Sequence, residues 1–229
     1  MEKQKVAFFD IDGTVFRSSL LVELVRALVA EGVFPKEAEY MYKKSREAWV
    51  NREGTYETYI NDVIAVFLRH IRGVFYGDLR DVGRRVVEEQ SKHVYRYTRD
   101  LISDLKGKGY FIVAISHSPK TVLDEFCASY GFDKVYGRIY EIGPQDCFTG
   151  EMIERELIEN KAAIALRVFA HEGIDRTSAI AVGDTEGDIP LLEIVDTPIC
   201  FNPNMRLYKH AERMGWPVVV ERKDVVYTL

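Results

Sequence analysis

Three short apolar runs constrain what this chain can fold into: Val6 to Phe9, Tyr110 to Ile115 and Ala179 to Val182. None shows the polar–apolar alternation of a strand with one wet face. Each therefore predicts a strand covered on both sides, as in the parallel sheets of α/β proteins. The first run hands over to Asp10, the second to Ser116 and the third to Gly183-Asp184. Polar groups thus gather at the carboxyl ends of three strands, the edge at which open parallel sheets bind ligands.

Helical patterns separate the runs: Val94 to Lys108 before the second, Pro119 to Tyr130 after it, and Glu154 to His171 before the third. This alternation predicts an α/β fold with a doubly wound, mainly parallel sheet. Weaker strands at Pro198 to Phe201 and Val218 to Val220 complete it, with a helix near Met205 to Met214 between them. Val135 to Thr149, punctuated by Gly137, Gly143 and Pro144, reads as a hairpin. From Arg17 to His93 no buried-strand run occurs. Apolar stripes at helical spacing, Leu20 to Val29 and Tyr56 to Ile71, are broken at Gly32, Pro35, Gly54 and Gly73 into about four helices. The expected organisation is a core of residues 1–16 and 94–229 with an all-helical insertion of residues 17–93.

Charge narrows the choice of partner. With 31 basic and 36 acidic side chains the net charge is −5, which argues against a nucleic-acid partner, since that needs a concentrated basic face. Cys127, Cys147 and Cys200 are odd in number and form no CxxC pair, so neither a disulfide framework nor a zinc site is indicated. No targeting segment is visible, and Leu20 to Val29 carries Glu23 and Arg26 and falls short of the roughly 18 residues of a membrane span. A cytoplasmic protein without a membrane partner is expected, as monomer or homodimer.

Four constellations carry chemistry. Asp10-Ile11-Asp12-Gly13-Thr14 places two carboxylates in a glycine-opened turn after a buried strand. A calcium loop fails here, because its twelfth position would be Leu21 rather than a bidentate glutamate. Gly183-Asp184 through Asp188 adds carboxylates at the same edge. Together they repel unless a cation joins them, and hard oxygen donors without histidine or thiolate select Mg²⁺. Lys161 falls on the apolar face of its helix, so its ammonium must reach an anion or snorkel to water. Replacing it with methionine is expected to leave folding stability equal or better while abolishing activity. Finally, Ser116-His117-Ser118-Pro119 predicts a helix start with Ser118 as N-cap and Pro119 at the first helical position, a place suited to phosphate oxygens.

The order Asp-x-Asp, Ser, Lys, Asp-x-x-x-Asp resembles the haloacid dehalogenase superfamily of phosphohydrolases, with its Rossmann-like core. Its four motifs match Asp10 to Thr14, Ser116, Lys161 and Gly183 to Asp188. The helical insertion and Phe148-Thr149-Gly150 further resemble the capped, phosphoserine phosphatase-like branch. The resemblance implies an aspartyl-phosphate mechanism on a small phosphomonoester. Asp10 is then the nucleophile, Asp12 the acid and base, and Thr14, Ser116 and Lys161 the phosphate ligands. Mg²⁺ falls to the Asp10 side chain, the Asp12 carbonyl and Asp184, with Asp188, Gly13 and Gly183 in support. His117 and Ser19 are candidates to touch substrate. Ser19 stands where phosphoserine phosphatases carry a glutamate for the substrate's amino group, with Glu23 one turn further on. A carboxylate at Asp12 favours phosphatase or phosphomutase over dehalogenase chemistry, and the full acidic set argues against a silent binding module. Tyr40, Tyr42, Trp49, Tyr56, Tyr59 and Tyr76 are either helix-bundle core or an aromatic wall for a cationic headgroup.

Overall fold

The computed structural model describes residues 4–171 and 174–229; residues 1–3 and 172–173, assigned above to the core, lie outside them. In chain order β1 (Gln4–Phe9) is followed by α1 (Leu20–Ala30), α2 (Ala38–Val50), α3 (Tyr56–His70) and α4 (Tyr76–Gln90). Then come α5 (Arg96–Gly107), β2 (Phe111–Pro119), α6 (Lys120–Tyr130), β3 (Lys134–Ile142), β4 (Phe148–Ile153) and the short α7 (Arg155–Ile158). The remainder is α8 (Lys161–His171), β5 (Ile174–Gly183), the short α9 (Ile189–Leu192), β6 (Thr197–Phe201), α10 (Met205–Met214), β7 (Val218–Arg222) and β8 (Val225–Thr228). Among the described residues the strands form one eight-stranded sheet in the order β4-β3-β2-β1-β5-β6-β7-β8. Only the outermost pairs, β3 with β4 and β7 with β8, are antiparallel.

The doubly covered character of the central strands follows from side-chain alternation. Ala7 and Phe9 of β1, with Ile112 and Ala114 of β2, enter one cluster with Leu24, Val63 and Phe126. Val6 and Phe8, with Val113 and Ile115, enter the other with Ile164, Leu191 and Ala211. Each fully buried Phe or Val contributes roughly 1.5–3 kcal/mol by leaving water. Apolarity on both faces is therefore what holds β1 at the middle of the sheet.

Residues 17–93 form four helices, all on the first of these faces. α1 and α4 rest on α6, while α2 and α3 pair with each other and α3 lies on α1. The chain leaves and re-enters side by side: Arg17 N donates to His93 O at 2.9 Å and Tyr95 N to Val15 O at 3.0 Å. A second tie joins the α3–α4 link to the hairpin, where Gly73 N reaches Phe148 O at 2.8 Å and Phe148 N reaches Val74 O at 2.9 Å. No described helix is long and apolar enough to cross a membrane.

Three expectations are corrected. The pattern from Glu154 to His171 is two helices, not one, because Asn160 caps a new start, its Oδ1 accepting from Ala163 N at 3.0 Å; Glu154, at φ 51, only precedes the first of them. β2 runs on through Pro119, which pairs with Arg138 after a register shift, so Pro119 is the cap of α6 and not its first residue. β8 was not anticipated; it is a short edge strand and mostly exposed.

Candidate active site

The loop after β1 turns at Gly13, whose φ is +87 and whose missing Cβ would lie 2.3 Å from Asp184 Oδ2. Only glycine allows both the backbone angle and this approach of two loops. The turn leaves Asp10 at the strand end, 6% exposed, and aims Asp12 elsewhere. Asp12 Oδ1 accepts from Leu20 N at 2.6 Å, so Asp12 caps the first turn of α1, whose formal cap residue Ser19 makes no side-chain cap bond. Asp12 Oδ2 accepts from the hydroxyls of Ser116 and Ser118. Ser116 Oγ in turn accepts from Ser118 N at 2.9 Å. These serines sit in the register-shifted end of β2, which explains why both can face one carboxylate.

Lys161 opens α8 and is 5% exposed. Its Nζ donates to Asp10 Oδ1 at 2.6 Å and to Asp188 Oδ1 at 2.5 Å, so it meets anions rather than snorkelling. Burial pulls its pKa down, and the charges of Asp10 and Asp188 more than reverse this, holding it above the usual lysine value. Asp188, wholly buried, spends its second oxygen on the amides of Asp184 and Thr185, both at 3.0 Å. A Cβ on Gly183 would strike that carboxylate at about 2.4 Å, which accounts for the second supporting glycine.

Ligand oxygens of Asp10, Asp184 and Asp188 lie within 4.8 Å of one another. Burial, opposed by Lys161 and reinforced by Asp188 and Asp12, pushes Asp10 up to about 7. Asp184 is likewise raised, by burial and then by Asp10 and Asp188. Asp10 Oδ2 is buried without a hydrogen-bond partner. An all-oxygen cluster with an orphaned carboxylate oxygen fits a hard divalent cation, which would relieve both the repulsion and the missing contact.

Above this floor a cavity of about 310 Å³ opens, walled by Leu21, Tyr56, Ile60, Asn61 and Ile64 from the helical insertion. Of the residues expected from sequence, Asp10, Asp12, Ser19, His117, Lys161 and Asp184 line it. Thr14, Ser116, Gly13, Gly183 and Asp188 stand behind its wall, Thr14 beside Asp184. His117 Nε2 donates to Ile158 O at 3.1 Å, and burial together with the Lys161 charge holds the imidazole below its ordinary pKa. Glu23 is not on the wall: it is engaged by Ser18 Oγ at 3.0 Å and by Arg26 at 3.2 Å.

Sequence reasoning missed Ser118 as a side-chain participant, and missed Asn61 and Arg138 altogether. Arg138 reaches the cavity because it pairs with Pro119 across the shifted register, a relation that no local pattern encodes. Among the six aromatic residues weighed as a wall, only Tyr56 lines the cavity. Trp49 packs on Tyr56, Tyr42 on Tyr59, and Tyr76 on Phe148, the bundle-core alternative.

A family model described as haloacid dehalogenase-like hydrolase matches residues 7–193. The chain is similar to phosphoserine phosphatase SerB1 of Mycobacterium tuberculosis, 26% identical over 93% of this chain and 69% of that protein. It is 24% identical to a histidinol-phosphatase of Neisseria meningitidis over 94% of this chain and 98% of the other. In fold it matches a phosphoserine phosphatase solved as a phospho-aspartyl intermediate analogue. The TM-score there is 0.63 at 20% identity, over 97% and 96% of the two chains.

Proposed function

The chain belongs to the haloacid dehalogenase-like hydrolase family, and from that premise we propose that it is a Mg²⁺-dependent phosphomonoester hydrolase working through an aspartyl-phosphate. In this reading residues 1–16 and 94–229 form the catalytic core and residues 17–93 a cap over a small substrate. The observation that carries it is the ammonium of Lys161 held between Asp10 and Asp188, 151 and 27 residues away in sequence, with Asp184 in the same cluster.

A carboxylate oxygen of Asp10 attacks phosphorus as the bond to the leaving oxygen breaks, and Asp12 gives that oxygen a proton. Water then attacks the phosphoryl group, Asp12 takes the water's proton, and Asp10 is released with inorganic phosphate. Asp12 enters the first step as the neutral acid. Leu20 N, Ser116 and Ser118 hold its carboxyl group beside the cation cluster and steady the carboxylate that then takes the water's proton. Lys161, Thr14 and Ser116, joined by Ser118, take phosphoryl oxygens, while Asp188 positions Lys161. Mg²⁺, held by Asp10, the Asp12 carbonyl and Asp184, would neutralise charge developing on the phosphoryl oxygens. The enzyme then acts on a small molecule, as a cytoplasmic monomer or homodimer.

The test is phosphate release from a panel of phosphomonoesters with and without Mg²⁺. Release that requires both the metal and Asp10 is expected. Isomerised product without free phosphate would instead indicate a mutase, and neither product would end the catalytic reading.

A further inference from the structure

We infer that the substrate's leaving group carries an anion and no ammonium, Arg138 taking the anion while Leu21, Ile60 and Ile64 cover hydrocarbon. This rests on the phosphomonoesterase reading above and deepens it.

An ammonium at the far end of a substrate needs a carboxylate to meet it. The carboxylates lining the cavity are Asp10, Asp12 and Asp184. All three belong to the floor, the first bound to Lys161, the second to hydroxyls and an amide, the third to the cation cluster. Toward the cap the polar wall is Ser19, Tyr56 and Asn61, which are neutral. The nearest acid in sequence, Glu23, is occupied by Ser18 and Arg26. Nothing described in that part of the cavity would neutralise a positive charge.

A cation is present instead. Arg138 lines the cavity, and its Nε is buried with no hydrogen-bond partner. A guanidinium N–H cannot become an acceptor or lose its proton, so burying it unmatched is costly unless a ligand oxygen completes it. Glu159, a carboxylate within range of its charge, is exposed and already paired with Arg155 at 2.8 Å. Tyr140, two residues along the same strand, accepts from the Arg138 guanidinium through its hydroxyl, which carries no charge and leaves Nε without a partner. What the guanidinium lacks is an anion of its own, and a molecule bound in the cavity that Arg138 lines would supply it. A carboxylate or a second phosphate provides it, and the guanidinium fork accepts either.

The test uses propyl phosphate as the neutral reference, with 3-phosphooxypropanoate, propane-1,3-diol bisphosphate, O-phosphoserine and O-phosphoethanolamine as probes, in Mg²⁺. The propanoate or the bisphosphate should exceed propyl phosphate by about tenfold in kcat/KM, the size of one charge-assisted hydrogen bond, and which of the two wins names the anion. O-Phosphoethanolamine should fall below the reference. In Arg138→Met the anionic-to-neutral ratio should collapse toward one, and Arg138→Lys should keep part of it. Calorimetric binding of the uncleaved esters to Asp10→Asn should follow the same order, a readout independent of turnover. Equal losses on all esters in Arg138→Met would assign Arg138 to the phosphoryl group and overturn the inference, as would a preference for either ammonium-bearing ester over its counterpart. If p-nitrophenyl phosphate and every probe resist hydrolysis, the phosphatase reading falls and the inference falls with it.

Discussion

The floor and the roof of the cavity are built differently. At the sheet edge Asp10, Lys161, Asp188 and Ser116 are each 6% exposed or less; Lys161 joins Asp10 to Asp188, and Ser116 bonds to Asp12. Above them Tyr56 is 38% exposed, Asn61 is exposed, and Ile60 and Ile64 are half-buried. The floor is a closed polar network whose members are costly to remove singly, because each loss strands a buried partner. The roof presents apolar and neutral groups that water already reaches, so it tolerates change. In the proposed reading, reaction chemistry belongs to the first region, and the second shapes the space around the substrate while Arg138, from β3, selects its charge.

Asp10→Asn should produce the largest effect, since the proposed nucleophile has no substitute on the floor. Turnover should fall by at least about 10³-fold, and beryllium fluoride should no longer trap on the protein. Phosphatase activity close to wild type in this variant would remove Asp10 from the mechanism and the floor from its role.

Lys161→Met sharpens the point, and here the structure reverses what sequence suggests. Considered as a lone ammonium on an apolar helix face, Lys161 looks replaceable at no cost in stability. Seated between two buried carboxylates, it leaves both uncompensated when removed. We expect metal-free Lys161→Met to be destabilised by about 3–5 kcal/mol near pH 8, measured by urea unfolding, with Mg²⁺ recovering part of the loss. A stability equal to wild type would show that the carboxylates find other partners.

The same network predicts a pH dependence in the metal-free protein. Asp10 is raised from 3.8 to about 7, so the native state holds a proton that the unfolded state has released. The corresponding stability is present below about pH 4 and is lost as pH rises through 7, and Asp184 shifts in the same direction. The loss should be on the order of a few kcal/mol. Lys161 moves upward and does not offset it in this range. Thermal unfolding from pH 4 to 8 should show the decline, and Mg²⁺ should flatten it. A profile that is flat without the metal would contradict the repulsion assigned to the floor.

The sheet and the helical insertion were legible because their periodicities are pure. β1 and β2 are apolar on both faces, and the breaks at Gly32, Pro35, Gly54 and Gly73 fall between the observed helices. Elements that depend on pairing were not. The strand β8 has three exposed residues of four, so it resembles a polar tail until β7 orders it. The division of residues 154–171 into two helices was signalled by Asn160, a cap-forming residue overrun by the apolar wheel on either side. At the site, the strand-end aspartates, Ser116 and Lys161 could be located from sequence. Arg138 could not, since its place depends on a register shift between β2 and β3.

Two glycines compare the regions at equal backbone strain. Gly13 at φ +87 and Gly73 at φ +83 both hold the left-handed conformation, but a Cβ on Gly13 meets Asp184, whereas nothing lies within 4 Å of one on Gly73. Alanine at either position should cost about 1–2 kcal/mol for the backbone angle. Only Gly13→Ala should also displace Asp184 and lose activity. A loss of activity in Gly73→Ala matching that of Gly13→Ala would mean that the tie from Gly73 to Phe148 transmits strain to the site.

The smallest expected effect is at the roof. Burial, followed by the charges of Asp12 and Asp184, raises the Tyr56 pKa, so its hydroxyl stays protonated and available as a donor at the cavity wall. Tyr56→Phe should raise KM by only about two- to fivefold, because a partly exposed neutral hydrogen bond is worth about 1 kcal/mol or less. Unfolding stability should change by no more than about 0.5 kcal/mol. Ser118→Ala, removing a hydroxyl of similar chemistry from the floor, leaves the half-buried Asp12 carboxylate short of a donor and should lower kcat by about ten- to a hundredfold. Steady-state kinetics on one ester separates the two. If Tyr56→Phe lowers kcat as much as Ser118→Ala, the cap takes part in proton transfer and the boundary drawn between floor and roof is misplaced.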